Sequence, residues 1–230
     1  MNVGSLFTHH AQYRRDHLAV VFEDQRLTYC EYNQQINRTA NALLDLGIQK
    51  GDKVATLLPN CLELLEVFWA VAKIGAVVVP MSTLLLESAL VSLLNDSDTV
   101  AVIVDKSFTD IIKSIKDRLP NIPENRYLTI AVEPIPGFQN YHALQSDANV
   151  LEPSAETVEA DDVFNIMYSS GTTGLPKGIV HTHQIRLAYG TSFAASFRIN
   201  PESVVMHAGA IIFNGAFIDL MPTVFQGATY

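Results

Sequence analysis

The sequence predicts an α/β fold in which parallel sheet is flanked by helices, and three observations point to it. Short runs rich in β-branched residues recur, notably KVATLL at 53–58, AVVV at 76–79 and TVAVIV at 99–104. Segments with apolar residues at helical spacing separate them. The strand runs are continuously apolar, as strands buried on both faces are, so the sheet is expected to be parallel.

The elements follow in order. Residues 18–22 (LAVVF) read as a strand and 26–28 open a second, with a turn at Glu23-Asp24. Thr28-Tyr-Cys-Glu31 has the spacing of a capping box, so a helix should follow, carrying Tyr32, Ile36, Ala40 and Leu43 on one face. Gly47 stands where a helix end calls for positive φ. The strand 53–58 stops at Pro59. Asn60-Cys-Leu-Glu63 is expected to cap a second helix running to Ile74 and closed by Gly75, and the strand 76–79 stops at Pro80. Residues 85–95 read as helix and 99–104 as strand. Ser107-Phe-Thr-Asp110 opens a helix ending near Leu119-Pro120, and 126–130 form a further strand. Residues 133–161 are rich in Pro, Ser, Asn and acid and read as a surface connection.

Composition bounds the function. The 230 residues are 48% hydrophobic and 17% charged, a globular balance, with net charge −9. An acidic chain without a Lys/Arg run does not favour nucleic acid or an anionic membrane. The amino terminus lacks the apolar core of a signal peptide, and the apolar stretch 62–80 is broken by Glu63, Glu66 and Lys73, so no integral membrane segment and a cytoplasmic location are expected. Cys30 and Cys61 form no CxxC pair and read as free thiols. No metal-ligand set emerges from the histidines: His9-His10 reads as a solvated pair, His181 and His183 as a surface or domain-boundary pair on one side of a strand, and His207 as a strand end.

The chemistry sits after the strand 163–167. Ser169-Ser-Gly-Thr-Thr-Gly-Leu-Pro-Lys-Gly178 places three glycines, four hydroxyls and one lysine within ten positions. Glycines let another molecule approach the main chain, and exposed N–H groups, hydroxyls and a cation together suit a polyphosphate. A Walker A loop is excluded, because Pro176 precedes Lys177 and Gly178 follows it. A dinucleotide fingerprint is excluded as well, because Gly171 and Gly174 give only Gly-x-x-Gly and 178–182 reads as strand.

This loop resembles, position for position, the phosphate-binding signature of the adenylate-forming superfamily: acyl-CoA synthetases, aryl- and coumarate-CoA ligases, beetle luciferases and peptide-synthetase adenylation domains. The following strand ends in Thr182-His183, as it does there. Leu27-Thr-Tyr-x-Glu31, Gly51-Asp-Lys-Val-Ala with Leu58-Pro-Asn60, and the passage 69–80 resemble weaker family marks, each also ordinary core.

The resemblance implies an ATP-dependent acyl-CoA ligase acting on a small-molecule carboxylate, with ATP, Mg2+ and coenzyme A. Ser169, Ser170, Gly171, Thr172, Thr173, Gly174 and Lys177 would bind nucleotide. Thr173 and Lys177 would be the catalytic residues, with no protein metal site. Downstream, where the family often carries a His near the α-phosphate, Asn214 stands; it keeps a donor but no titratable charge, and a helix-start role is the alternative. Phe213 and Phe217 would line an acyl pocket or pack in the core.

The resemblance also implies that the chain is the truncated N-terminal domain of a longer enzyme. The adenine-side segment, the ribose-binding Asp and the C-terminal lysine have no counterpart here, so the fragment is expected to be inactive alone. By the same resemblance, 49–183 should form a nearly complete subdomain, with 1–48 and 184–230 in a second, incomplete one. Two other readings remain: an adenylation domain that loads a carrier protein, and a non-catalytic nucleotide-binding module.

Overall fold

The computed structural model describes residues 1–169 and 176–230. The helices are α1 (Gly4–Tyr13), α2 (Tyr29–Asp45), α3 (Leu62–Ile74), α4 (Glu87–Asp96), α5 (Thr109–Ile115), α6 (Tyr141–Asp147), α7 (His183–Phe197) and α8 (Phe217–Gln226). The strands are β1 (Leu18–Phe22), β2 (Gln25–Thr28), β3 (Lys53–Leu57), β4 (Val77–Pro80), β5 (Thr99–Val104), β6 (Tyr127–Thr129), β7 (Gln139–Asn140), β8 (Val163–Ser169) and β9 (Lys177–Thr182).

Among the described residues β1 and β2 form a hairpin, turned at Glu23 with φ 52°, and seven strands form one sheet in the order β7-β6-β5-β3-β4-β8-β9. Its pairings are parallel except at the edge, where β9 runs antiparallel to β8. The expected α/β class with mainly parallel sheet is therefore the observed one. Strand residues alternate between two apolar layers. Val54, Val78, Ala101, Ile103 and Phe164 face a core built with α1, α2, α3 and α8. Ala55, Val79, Val102 and Val104 face one built with α4 and α5. Both faces are thus covered, which is why these runs carry no polar alternation.

Several local signals behave as expected. The Thr28 hydroxyl accepts from the Glu31 amide while the Glu31 carboxylate accepts from the Thr28 amide, a complete capping box for α2. Gly47 and Gly75 close their helices with φ of 77° and 72°.

Other expectations are overturned. Asn60 does not cap α3, whose N-cap is Cys61 without a side-chain bond. Its Oδ1 accepts from the Ile211 amide at 3.0 Å and its Nδ2 donates to the Gly209 carbonyl at 2.8 Å. The 3₁₀ turn Lys106–Phe108, capped by Asp105, precedes α5. Residues 133–161 are not bare connection, because they contain β7 and α6. Asn140 caps α6, and Tyr141 is buried with its hydroxyl donating to Glu66 at 2.8 Å. The stretch that follows is clamped to α2. Asn37 donates to the Val150 carbonyl at 2.9 Å, and Asn41 to those of Asn149 and Leu151 at 2.8 and 3.0 Å.

His10 is buried, bonding the Val224 carbonyl at 2.8 Å through Nε2, while His9 beside it is exposed. His183 begins α7 and does not lie on β9; it and His181 are both buried.

Candidate functional site

The site is assembled where parallel strands end. β4 terminates at Pro80 and β8 at Ser169, and their C-terminal ends border a cavity of about 380 Å3. That edge of an open parallel sheet is where such folds place ligands, and the volume suits a small molecule. The lining is mainly apolar, with Pro80, Met81, Leu85, Leu93, Met167, Ile179, Ile212 and Phe213. Ser82, Tyr168, Ser169 and Asn214 supply the polar groups.

The two described ends of the glycine-rich segment meet here. Ser169, the last residue of β8, pairs in register with Lys177, the first of β9. Ser169 and Pro176 line the cavity, and Lys177 is exposed beside them. Of the expected nucleotide-binding residues, Ser170, Gly171, Thr172, Thr173 and Gly174 lie outside the described residues.

The hairpin is anchored from below. Tyr168 pairs with Gly178, and a Cβ on Gly178 would come within 3.3 Å of the Tyr168 ring and 3.0 Å of Ile166. Glycine therefore leaves room for that ring. The Tyr168 hydroxyl donates to the Asp96 carboxylate at 2.5 Å, tying β8 to α4, and burial beside that carboxylate pushes the phenol up.

Asn60 holds the segment 209–211, and the residues that follow, Ile212, Phe213 and Asn214, line the cavity. Phe213 is half exposed and lines the cavity together with Asn214. Phe217 does not line it. It is 0% exposed, stacked on Phe68 at 5.7 Å and edge-on to Phe164 at 6.2 Å, so its place is the core. Asn214 opens the 3₁₀ turn Asn214–Ala216 without capping it. Its Oδ1 instead accepts from Nη1 of Arg186 at 2.9 Å. Arg186, on α7, is itself 0% exposed. Its Nε donates to Asn165 Oδ1 at 3.0 Å, and its guanidinium lies 3.8 Å from the Phe217 ring centroid. Burial lowers this guanidinium to about 9, which leaves it charged at neutral pH. Sequence reasoning missed Arg186, Tyr168 and Asp96. The partners of Arg186 lie 21 and 28 residues away, beyond any periodicity that would reveal them.

His207 does not reach this cavity. It pairs with Asp219 at 3.0 Å and borders a separate apolar cavity of about 320 Å3 with Phe22, Cys61, Met206 and Tyr230. Among the described residues no group of three or more His, Cys, Asp or Glu is placed to hold a metal. Among them, too, no helix is long and apolar enough to cross a membrane.

Known proteins place the chain. A family model described as AMP-binding enzyme matches residues 7–230. The chain is 36% identical over 176 residues to the long-chain-fatty-acid–CoA ligase FadD13 of Mycobacterium tuberculosis, a match covering 76% of this chain and 33% of that protein. It is 36% identical over 159 residues to a crotonobetaine/carnitine–CoA ligase of Escherichia coli, covering 69% of this chain and 31% of that one. Among solved structures, the anthranilate CoA ligase AuaEII in complex with anthranoyl-AMP superimposes with a TM-score of 0.93 at 25% identity, over 100% of this chain and 44% of its own. The fatty acyl CoA synthetase of Mycobacterium tuberculosis does so with a TM-score of 0.87 at 29% identity, over 99% and 44%. The matches thus span about a third of the length of these curated relatives.

Proposed function

The chain belongs to the AMP-binding enzyme family, and from that premise we propose that it forms part of an ATP-dependent acid–thiol ligase that converts a fatty or aromatic carboxylate to its coenzyme A thioester. The observation that carries this reading is the segment 169–178, which leaves the end of β8 and returns at Lys177 beside an apolar cavity. A hydroxyl- and glycine-rich segment with one lysine suits the polyphosphate of ATP, and an apolar cavity suits the body of an organic acid. The curated relatives named above are CoA ligases, which supports the same class.

In the proposed first step a carboxylate oxygen attacks the α-phosphorus of ATP. The new C–O–P bond forms as the bond between the α-phosphorus and its bridging oxygen breaks, and pyrophosphate leaves. In the second, the coenzyme A thiolate attacks the acyl carbon, the C–S bond forms, and AMP leaves with the oxygen. The obstacle in the first step is bringing one anion against a polyanion, and fixed donors lower it by being oriented before the charge moves. Ser169, Ser170, Thr172 and Thr173 would grip the departing phosphates, the backbone at Gly171 and Gly174 would approach them closely, and Lys177 would add charge. Mg2+ would arrive on the nucleotide, because this ion takes phosphate oxygens with only one or two carboxylates and needs no protein cage. We propose a cytoplasmic location, where both ATP and coenzyme A are at hand.

The test is carboxylate-dependent ATP–pyrophosphate exchange by the full-length protein, followed by addition of either coenzyme A or a phosphopantetheinylated carrier protein. Exchange with octanoate or benzoate and thioester on coenzyme A are expected. Thioester on the carrier alone would establish the carrier-loading alternative, and absence of exchange with every acid would overturn the ligase reading.

A further inference from the structure

Arg186 is a buried cation whose partners are unusual. Among the described residues it has no ion-pair partner. A buried charge is costly unless compensated. Here two neutral amide oxygens and two aromatic faces do that work: Asn165, Asn214, Phe217 and Tyr189, whose ring centroid lies 5.2 Å away. Nη2 has no hydrogen-bond partner among the described residues. A leucine or methionine would fill the same space in an apolar core without this cost, so the charge calls for a reason.

The chemistry of the contact supplies one. A guanidinium only donates. The Asn214 amide is therefore locked with Oδ1 toward Arg186, and its Nδ2 must point the other way. Asn214 lines the cavity beside Ser169, and its Nδ2 makes no hydrogen bond among the described residues. The amide is also polarised by the cation behind it, which strengthens it as a donor. A positive charge beneath the wall favours an anion in the cavity while the cation itself stays out of solvent.

We propose that Arg186 is a positioning residue: it holds the Asn214 amide so that Nδ2 faces the cavity as a fixed donor to a carboxylate oxygen of the acid substrate. This rests on the ligase reading for the identity of the anion, but not for the orientation of the amide. Asn165, held by Nε of the same guanidinium, steadies the arrangement from β8.

The test uses three variants of the full-length protein, with octanoate and benzoate as the acids. Arg186→Met keeps the length and removes the donor, which frees the Asn214 amide to rotate. It is expected to raise KM for the acid about tenfold, the loss of one hydrogen bond to a charged group, with kcat in exchange nearly unchanged. In an Asn214→Ala background the same change should add nothing further, since its effect passes through that amide. Asn214→Asp keeps the acceptor for Arg186 and forms an ion pair but loses the Nδ2 donor. It should therefore melt no lower than the native protein while KM for the acid rises at least about tenfold. Asn214→Ala alone, which loses the Nδ2 donor without adding a negative charge, should raise KM by the same factor, and it decides the matter if Arg186→Met fails to fold. Unchanged KM in folded Arg186→Met or Asn214→Asp, or additive effects in the double variant, would overturn the proposal. If the native protein shows no exchange at all, the ligase reading fails by itself. The 15N resonance of Asn214 Nδ2 then decides the present proposal: a shift on adding octanoate or benzoate that is absent in Arg186→Met supports it, and no shift overturns it.

Discussion

Glu66 and the pair His181 and His183 show how burial sets opposite pH dependences within one molecule. Glu66 is 4% exposed, and burial raises its carboxyl from 4.5 to about 7, against the opposing hydrogen bonds from Tyr141 and Gln145. The folded state therefore holds its proton to higher pH than the unfolded chain. Its contribution is fully present below pH 4.5 and is lost as pH rises through 7, by roughly 3 kcal/mol at most. Burial pushes His181 and His183 the other way, from 6.5 to about 4. Their contribution is present above pH 6.5 and is lost as pH falls through 4. Glu66→Gln keeps a carbonyl acceptor for both Tyr141 and Gln145 but cannot ionise. It should gain stability over the native protein at pH 8 and lose that advantage at pH 5, read as urea midpoints. An equal difference at both pH values would refute the assignment. At the loop, Thr173→Ala should slow ATP–pyrophosphate exchange by about 10²–10³, the cost of one transition-state donor. Lys177→Ala should cost less, because an exposed, screened charge contributes little. Exchange at native rates in both folded variants would mean that this loop does not grip phosphate.

Elements are held in register by contacts that carry no local signature. In the β8–β9 hairpin a side chain at Gly178 would crowd Ile166 and the Tyr168 ring, and Tyr168 in turn ties β8 to α4 through Asp96. Gly178→Val should push that ring aside and lower stability by about 1–3 kcal/mol, as overpacking does. A thermal melt checks it, and Tyr168→Ala should reduce the penalty of the valine, since the two effects share one space. A valine with the native melting temperature would show that the ring yields freely. The capping box of α2 was legible in four residues because both of its bonds lie within them. Asn60 carried the same kind of local signal and bonds elsewhere, because residues 209–211 offer it both a donor and an acceptor at once.

At the scale of the whole molecule, one apolar core runs from Val3 through α2 and α3 to Val224. The last residues close back on the first strand. Tyr230 donates its amide to the Ala19 carbonyl at 3.0 Å and its carbonyl accepts from the Val21 amide at 2.8 Å. The Tyr29 hydroxyl donates to the Ala228 carbonyl at 2.7 Å. On these contacts we propose the division into 49–183 and the pair 1–48 with 184–230. Hydrogen exchange should show amides of β1 and α8 opening together and separately from those of β3 and β5. A single cooperative opening of all four would reject the division. The part of the chain that matches its curated relatives spans about a third of their length. These 230 residues alone are therefore predicted to form no acyl-CoA from ATP, Mg2+, coenzyme A and octanoate or benzoate, and turnover above background in a clean preparation would contradict that.

Local sequence alone sets the α/β class, the order of strands and helices from β1 through β6, and the glycine-rich segment 169–178, but not α1. Each of these is written in neighbouring residues, as a periodicity, a cap or a contiguous motif, and local sterics and burial enforce them wherever the chain lies. It left α6 unseen, because that helix is only seven residues long and is fixed by Tyr141 reaching Glu66 across 75 positions. It placed His10, His181 and His183 by their polarity, yet all three are buried once distant elements close over them. It named Asn214 and Phe213 as pocket candidates but gave no hint of Arg186 behind them. Only the tertiary structure sends Phe217 into the core and brings α7, β8 and the turn before α8 to one guanidinium, because hydrogen-bond partners far apart in the chain leave no periodicity to read.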